Sequence, residues 1–139
     1  MKRFIRKLLS ICWPFLLLGC YLIYRAIIQY SALPASFSSL TEADHCAWNL
    51  KFPGIGLGFG KGTSDQPGEI MRMYSVEYLF RQKDRVFVVA GKDGAFRVID
   101  EFVSGPTVRS VELKDGKLRY LDYYARLIFE HDAKRERNK

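Results

Sequence analysis

The chain has 139 residues and a formal net charge of +7, with ten Phe, eight Tyr and only three Cys. With an apolar N-terminal segment and a tether set aside, roughly ninety residues remain, enough for one small domain with a modest core and too few for two. The charge sits at the ends, Lys2, Arg3, Arg6 and Lys7 on one side and Lys134, Arg135, Arg137 and Lys139 on the other, while acids and bases between 42 and 133 nearly cancel, so a phosphate-binding face for nucleic acid has no support.

Residues 1–7 form a short basic N-terminus, and 8–28 are expected to be a transmembrane helix. From Leu8 to Tyr24 there is no charge, and Ala26, Ile27 and Ile28 extend the run past Arg25. About twenty helical residues at ~1.5 Å each reach roughly 30 Å, the thickness of the hydrocarbon layer. Arg25 lies near the outer end, where its long stem can carry the guanidinium to the headgroups. Tyr21, Tyr24 and Tyr30 cluster at that end and Trp13 lies near the other, as interfacial aromatics do. Pro14 is expected in the first turns, where a missing N–H costs little. Four basic residues precede the segment, and after Arg25 the next is Lys51. The N-terminus is therefore expected in the cytoplasm and the rest of the chain in a periplasmic or other extracytoplasmic space. Two alternatives compete. A cleaved signal peptide would have its best junction near Ala35, but its apolar core would be longer than such peptides carry. Leu17-Leu18-Gly19-Cys20 resembles a lipobox with Cys20 as the lipidated residue, although the following Tyr21-Leu22-Ile23-Tyr24 stays apolar where a mature lipoprotein turns polar.

Residues 29–39 suit a linker, and 40–133 the extracytoplasmic domain. Ser39 with Glu42 has the form of a capping box, predicting a short helix through Trp48. His45 and Cys46 are neighbours on that helix and point about a third of a turn apart, so they make no ready thiol–imidazole pair. Cys12 and Cys20 lie in the apolar segment, which leaves Cys46 without an intramolecular partner. It is a small buried residue or, in an oxidising compartment, the site of an intermolecular disulfide.

The stretch Gly54-Ile55-Gly56-Leu57-Gly58-Phe59-Gly60-Lys61-Gly62 fits neither a Rossmann fingerprint, which would need Gly at Phe59, nor a P-loop, which would need Ser or Thr at Gly62. Read as a strand, it carries Ile55, Leu57 and Phe59 on one face and bare backbone on the other. A surface without side chains admits close approach, so Gly54, Gly56, Gly58 and Gly60 are candidates for contact with a partner. A tightly packed internal strand is the alternative.

From Met71 the pattern becomes two-residue. Tyr74, Val76, Tyr78 and Phe80 face one way; Val86 to Ala90 are continuously apolar; Lys92-Asp93-Gly94 turns into Phe96 to Val103; Val108 to Leu113 forms a fourth strand; Lys114-Asp115-Gly116 opens a fifth. KDGAFRVID (92–100) and KDGKLRYLD (114–122) share turn, Arg and terminal Asp. In a meander Arg97 and Arg119 would lie one strand apart, about 10 Å from each other, a face able to hold an acidic partner segment. Residues 120–130 fit a strand, yet Asp122 with Arg126 and Arg126 with Glu130 also have helical spacing. Residues 134–139 are expected to be a disordered basic tail.

The expected fold class is mainly β: an N-terminal transmembrane helix followed by a small antiparallel β-meander domain. Acid–base catalysis needs convergent titratable groups, and only His45 and His131 accompany scattered carboxylates. No ligand spacing suits a metal, so no catalytic residue, cofactor or metal is expected. The reading is a non-catalytic, membrane-anchored protein-binding module, an accessory subunit or immunity-type inhibitor whose partners are the bilayer and another membrane or envelope protein. The alternative is a membrane-tethered β domain that uses its many aromatics to bind a small ligand or lipid.

Overall fold

The computed structural model describes residues 1–29, 32–51, 56–77, 83–104 and 108–133. It divides into two compact units, Met1–Ala32 and Leu33–Lys139. The first is one helix, α1 (Lys2–Gln29), long and apolar enough to cross a membrane. Its apolar side chains, Leu8, Leu9, Phe15 and Leu16 among them, are exposed rather than packed on protein. The helix starts earlier than the apolar run because Lys and Arg are good helix formers. Pro14 consequently lies in the helix interior rather than in its first turns, and one backbone hydrogen bond is lost there. Membrane helices tolerate such a residue because neighbouring groups re-satisfy the backbone.

The second unit is a mainly β, α+β domain. In chain order it holds β1 (Ser36–Phe37), α2 (Leu40–Lys51), β2 (Gly56–Ser64), β3 (Ile70–Glu77), β4 (Asp84–Lys92), β5 (Ala95–Ser104), β6 (Ser110–Lys114), β7 (Lys117–Leu121) and β8 (Leu127–Asp132). Among the described residues these strands make one sheet in the order β1-β5-β4-β3-β2-β6-β7-β8. Neighbours pair antiparallel except β2 and β6, which run parallel from Lys61 opposite Ser110 to Ser64 opposite Leu113. The single antiparallel meander expected from the turns is thus corrected to two meanders, β2 to β5 and β6 to β8, joined through the glycine strand. The segment 120–130, with its competing strand and helix signals, holds the end of β7, a turn and the start of β8.

Two local devices behave as their residues dictate. Asp93 and Gly94 have φ of 53° and 82°, and Asp115 and Gly116 have 52° and 75°. Both are two-residue hairpin loops with positive φ throughout, the geometry that matches strand twist and that Asp-Gly tolerates. At the start of α2, Glu42 N–H donates to Ser39 Oγ at 3.1 Å, and Glu42 Oε2 accepts from both the backbone N–H and the hydroxyl of Ser38 at 2.7 Å. The carboxylate reaches one residue further back than an ideal capping box. Those two bonds, side chain first, hold the Glu42 carboxyl below its usual value.

The sheet is curled. Phe102 of β5 meets Tyr120 of β7 with ring centroids 4.7 Å apart, although β4, β3, β2 and β6 lie between their strands in the order. The concave side holds a core of Met71, Met73, Val86, Val88, Ala90, Ile99, Val111, Leu118 and Tyr120. On the other side α2 lays Ala43, Ala47 and Leu50 on the sheet, where Tyr74 stacks on Phe87 at 4.8 Å. Arg72 Nη1 reaches both Asp44 oxygens at 2.8 and 2.9 Å, and Tyr74 donates to Asp44 at 2.6 Å, fastening helix to sheet. β4 is buried on both faces, which is why its sequence is apolar without alternation.

Candidate functional site

The glycine strand is where sequence expectation and structure can be compared most closely. Gly54 lies outside the described residues. Gly56, Gly58 and Gly60 face the concave side, since they pair with Glu77, Ser75 and Met73, while Leu57 and Phe59 pair with Val76 and Tyr74 on the helix side. Beside Gly60 the space is filled by the Met73 side chain, and a methyl there would stand 2.9 Å from the Arg109 carbonyl oxygen. At Gly62 a methyl would stand 2.6 Å from the Met71 carbonyl oxygen. Only Gly58 has ordinary room, with Ser75 Cβ at 3.7 Å; at Gly56 the obstacle is the mobile end of Glu77. The second half of the strand therefore uses its missing side chains internally. β2 can lie between β3 and the parallel β6 because no Cβ separates it from Met71 and Met73.

The expected arginine pair does not form. β5 and β7 are separated by four strands in the sheet order. Arg97 pairs with the core residue Ala90 and so faces the concave side, whereas Arg119 lies on the opposite face from Leu118 and Tyr120. There Arg119 is bracketed by Glu112 at 3.7 Å and Glu130 at 3.5 Å. The shared KDG turn made the two hairpins look equivalent, but the parallel joint sends them to different parts of the sheet. Cys46 is half-buried on α2. Burial pushes its thiol up, partly opposed by the positive charge of Arg85, which makes it a weak nucleophile.

One polar cluster escaped the sequence reading. Asp100 is 7% exposed, on the concave side of β5. Its Oδ2 accepts a very short hydrogen bond from Tyr120 Oη and lies 2.8 Å from His131 Nε2, while Oδ1 accepts the Glu101 N–H at 2.9 Å. Burial first, then the Asp100 carboxylate, push the Tyr120 phenol far up. The His131 ring stacks on Tyr120 at 5.7 Å, and Tyr120 stacks on Phe129 at 4.7 Å. Chemically this is a carboxylate–imidazole pair with a phenol as second donor. Among the described residues no hydroxyl or thiol is hydrogen-bonded to His131. What the cluster does is tie β5 to β7 and β8 across the concavity.

Open clefts lie at the end of the sheet where the 93–94 and 115–116 turns sit. One, of about 860 Å³, is lined by Phe37, Glu42, Ala90, Phe96 and others; the second, of about 570 Å³, by Asp65, Leu113 and Ala133 among others; Glu69, Lys92 and Arg97 border both. On the helix side, Trp48 is 51% and Phe59 54% exposed, although their neighbours Ala47, Leu50 and Tyr74 are buried. Among the described residues no group of three or more His, Cys, Asp or Glu is placed to hold a metal ion. No protein-family model, curated protein or solved structure matches this chain.

Proposed function

We propose that the chain is a membrane-anchored, non-catalytic protein-binding module, with α1 as a single-pass anchor, the N-terminus in the cytoplasm and the β domain outside it. The observation that carries this reading is the pair of half-exposed aromatics, Trp48 on α2 and Phe59 on β2. Tyr74, which ties to α2 through Asp44, lies edge-on to Phe59 at 5.6 Å. Large aromatics presented from a rigid, well-packed layer are the usual anchors of a protein interface. Gly58, opposite Ser75 and free of obstruction, leaves the adjoining backbone open to approach from the concave side. The partner is another membrane or envelope protein, since the anchor confines the search to the membrane plane. The anchor reading is supported by the length and apolarity of α1 and its orientation by the four basic residues ahead of it.

The test is affinity purification of the tagged full-length chain in mild detergent. A protein should accompany it in stoichiometric amount and be lost when Trp48→Ser and Phe59→Ser are combined. Clean recovery of the chain alone, from cells grown under several conditions, counts against the reading. The clefts bordered by Glu69, Lys92 and Arg97 support a second reading, a binder of a small zwitterionic or lipid-like ligand. Native mass spectrometry of the purified protein would then reveal a bound small molecule.

A further inference from the structure

The clefts of about 860 and 570 Å³ meet at Glu69, Lys92 and Arg97, and each has an apolar wall of its own. In the larger the wall is Phe37, Ala90 and Phe96, and in the smaller it is Pro67, Leu113 and Ala133. Leu113 and Ala133 pack against the concave core, and Arg97 stands opposite the core residue Ala90. The smaller cleft is therefore the mouth of the curled sheet, a usual place for a small-molecule site. Every residue concerned belongs to the unit Leu33–Lys139.

The charges at the shared border are set in place by neutral groups. Lys92 Nζ donates to the Pro67 carbonyl at 3.3 Å, and its stem crosses Gly68, where a methyl would stand 3.2 Å from Lys92 Cε. The Gly68 φ of 73° and a bond from the Glu69 N–H to the Gln66 carbonyl at 3.2 Å close the bend beneath that stem. Glu69 Oε2 accepts a very short hydrogen bond from Ser64 Oγ. Asp65 accepts the Asp115 N–H at 2.8 Å and donates its own N–H to the Leu113 carbonyl at 3.0 Å, which ties this wall to the turn after β6. Among the described residues no ion pair joins Glu69 to Lys92.

Opposite charges that line one space without neutralising each other offer a cation site and an anion site side by side, and bonds to charged groups are the strong ones. A simple anion would meet Glu69, and a simple cation would meet Lys92 and Arg97. One molecule carrying both charges avoids either conflict. Its uncharged part must be apolar to match the walls, and the two walls flank a single charged border. We infer that the adjoining clefts bind a short apolar peptide with both termini free. Its carboxylate lies toward Lys92 and Arg97, its ammonium toward Glu69, and one side chain against each apolar wall. The inference rests on the second reading above and names its ligand.

Isothermal titration calorimetry tests this on the full-length chain in a non-ionic detergent. The probes are L-leucyl-L-leucine, its N-acetyl form, which lacks the ammonium, and its C-terminal amide, which lacks the carboxylate. The dipeptide should bind at least about tenfold more tightly than either capped form, the loss expected when a charge-assisted bond is removed. Glu69→Gln should shrink the preference over the N-acetyl form alone, and Lys92→Met the preference over the amide alone. A variant that merely misfolds would weaken all three probes together. Tighter binding of O-phosphoethanolamine than of the dipeptide would overturn the peptide assignment in favour of a lipid headgroup. If the three peptides bind alike, or if neither variant changes a preference, the inference is overturned and the ligand-binding reading stands. If none binds, the inference falls, and native mass spectrometry of the same sample decides the reading beneath it: a bound small molecule keeps that reading, and an empty protein removes it.

Discussion

Alanine at Gly62 and at Gly58 should affect the domain in opposite ways, although both are glycines on the same face of one strand. Neither has a positive φ, so the difference is steric. A methyl on Gly62 would stand 2.6 Å from the Met71 carbonyl oxygen and 2.7 Å from its carbon, far inside the roughly 3.5–4.0 Å of a favourable carbon contact. Backbone must therefore move at the joint of β2 with β3, and overpacking of this kind costs about 1–3 kcal/mol. A loss near the middle of that range, in a domain of about a hundred residues, lowers Tm by roughly 8–16 °C. A methyl on Gly58 meets Ser75 Cβ at 3.7 Å and Ser75 O at 3.8 Å, which is ordinary contact. It also removes the entropy cost of glycine in a strand, about 0.5–1 kcal/mol. Gly58→Ala should therefore melt at or a few degrees above the parent. The assay is thermal unfolding of the full-length protein in detergent followed by the change in near-ultraviolet circular dichroism as the buried Tyr74 and Tyr120 of the domain lose their fixed surroundings. A Gly62→Ala melt within error of the parent, or a Gly58→Ala melt as low as Gly62→Ala, would refute the reasoning.

The same melt separates buried from exposed polar contacts. Tyr120→Phe takes a donor from a buried carboxylate and should cost about 1.5–3 kcal/mol, whereas Arg119→Ala removes ion pairs whose members are 34–41% exposed and should cost less than about 1 kcal/mol. The Asp44 carboxyl is opposed by burial but lowered overall by its bonds to Tyr74 and Arg72. Its stabilising contribution is thus present above its usual value of 3.8 and is lost as pH falls through the lowered one. Asp44→Asn should flatten that acid limb of the stability curve in a pH series of melts, and an unchanged limb would show that α2 is held without it. A periplasmic-type reporter fused after Lys139 should be active, and neutralising Lys2, Arg3, Arg6 and Lys7 together should scramble its orientation; full activity of a cytoplasm-only reporter at that position would reverse the assigned topology.

What could be read from the sequence was what local chemistry decides. The two Asp-Gly turns form because those residues tolerate positive φ, and β4 was recognisable as a strand because Val86 to Ala90 are apolar on both faces. Strand order was not readable. Alternation marks Ser110–Lys114 as a strand, but nothing in it says that its partner is Lys61–Ser64 rather than a neighbouring hairpin. That pairing is non-local and depends on the bare face of β2, which read equally well as a docking surface. β1, two residues long, carries no period at all. The spacing of Asp122 and Arg126, taken as a helical signal, comes instead from a turn closed by Ala125 in the left-handed region. Side chains four apart meet in either geometry, so the spacing alone could not decide between them.

His131 lies beside the basic tail in the sequence, and adjacency in the chain carries no sign of its surroundings in the fold. The pairing of β8 with β7 places His131 opposite Leu118 and on the concave side, where Phe129 and Tyr120 stack around it. Asp100 gave no clearer signal, since Arg97 and Glu101 also carry charge within Phe96 to Val103 and the pattern does not tell which of the three is buried. In the fold Asp100 is the buried one, and a buried carboxylate persists only where donors converge on it. Tyr120 and His131 are those donors. Because both come from the second meander, the buried acid ties the two meanders to each other. The cost of leaving such a carboxylate without donors makes their docking at this point close to all-or-none.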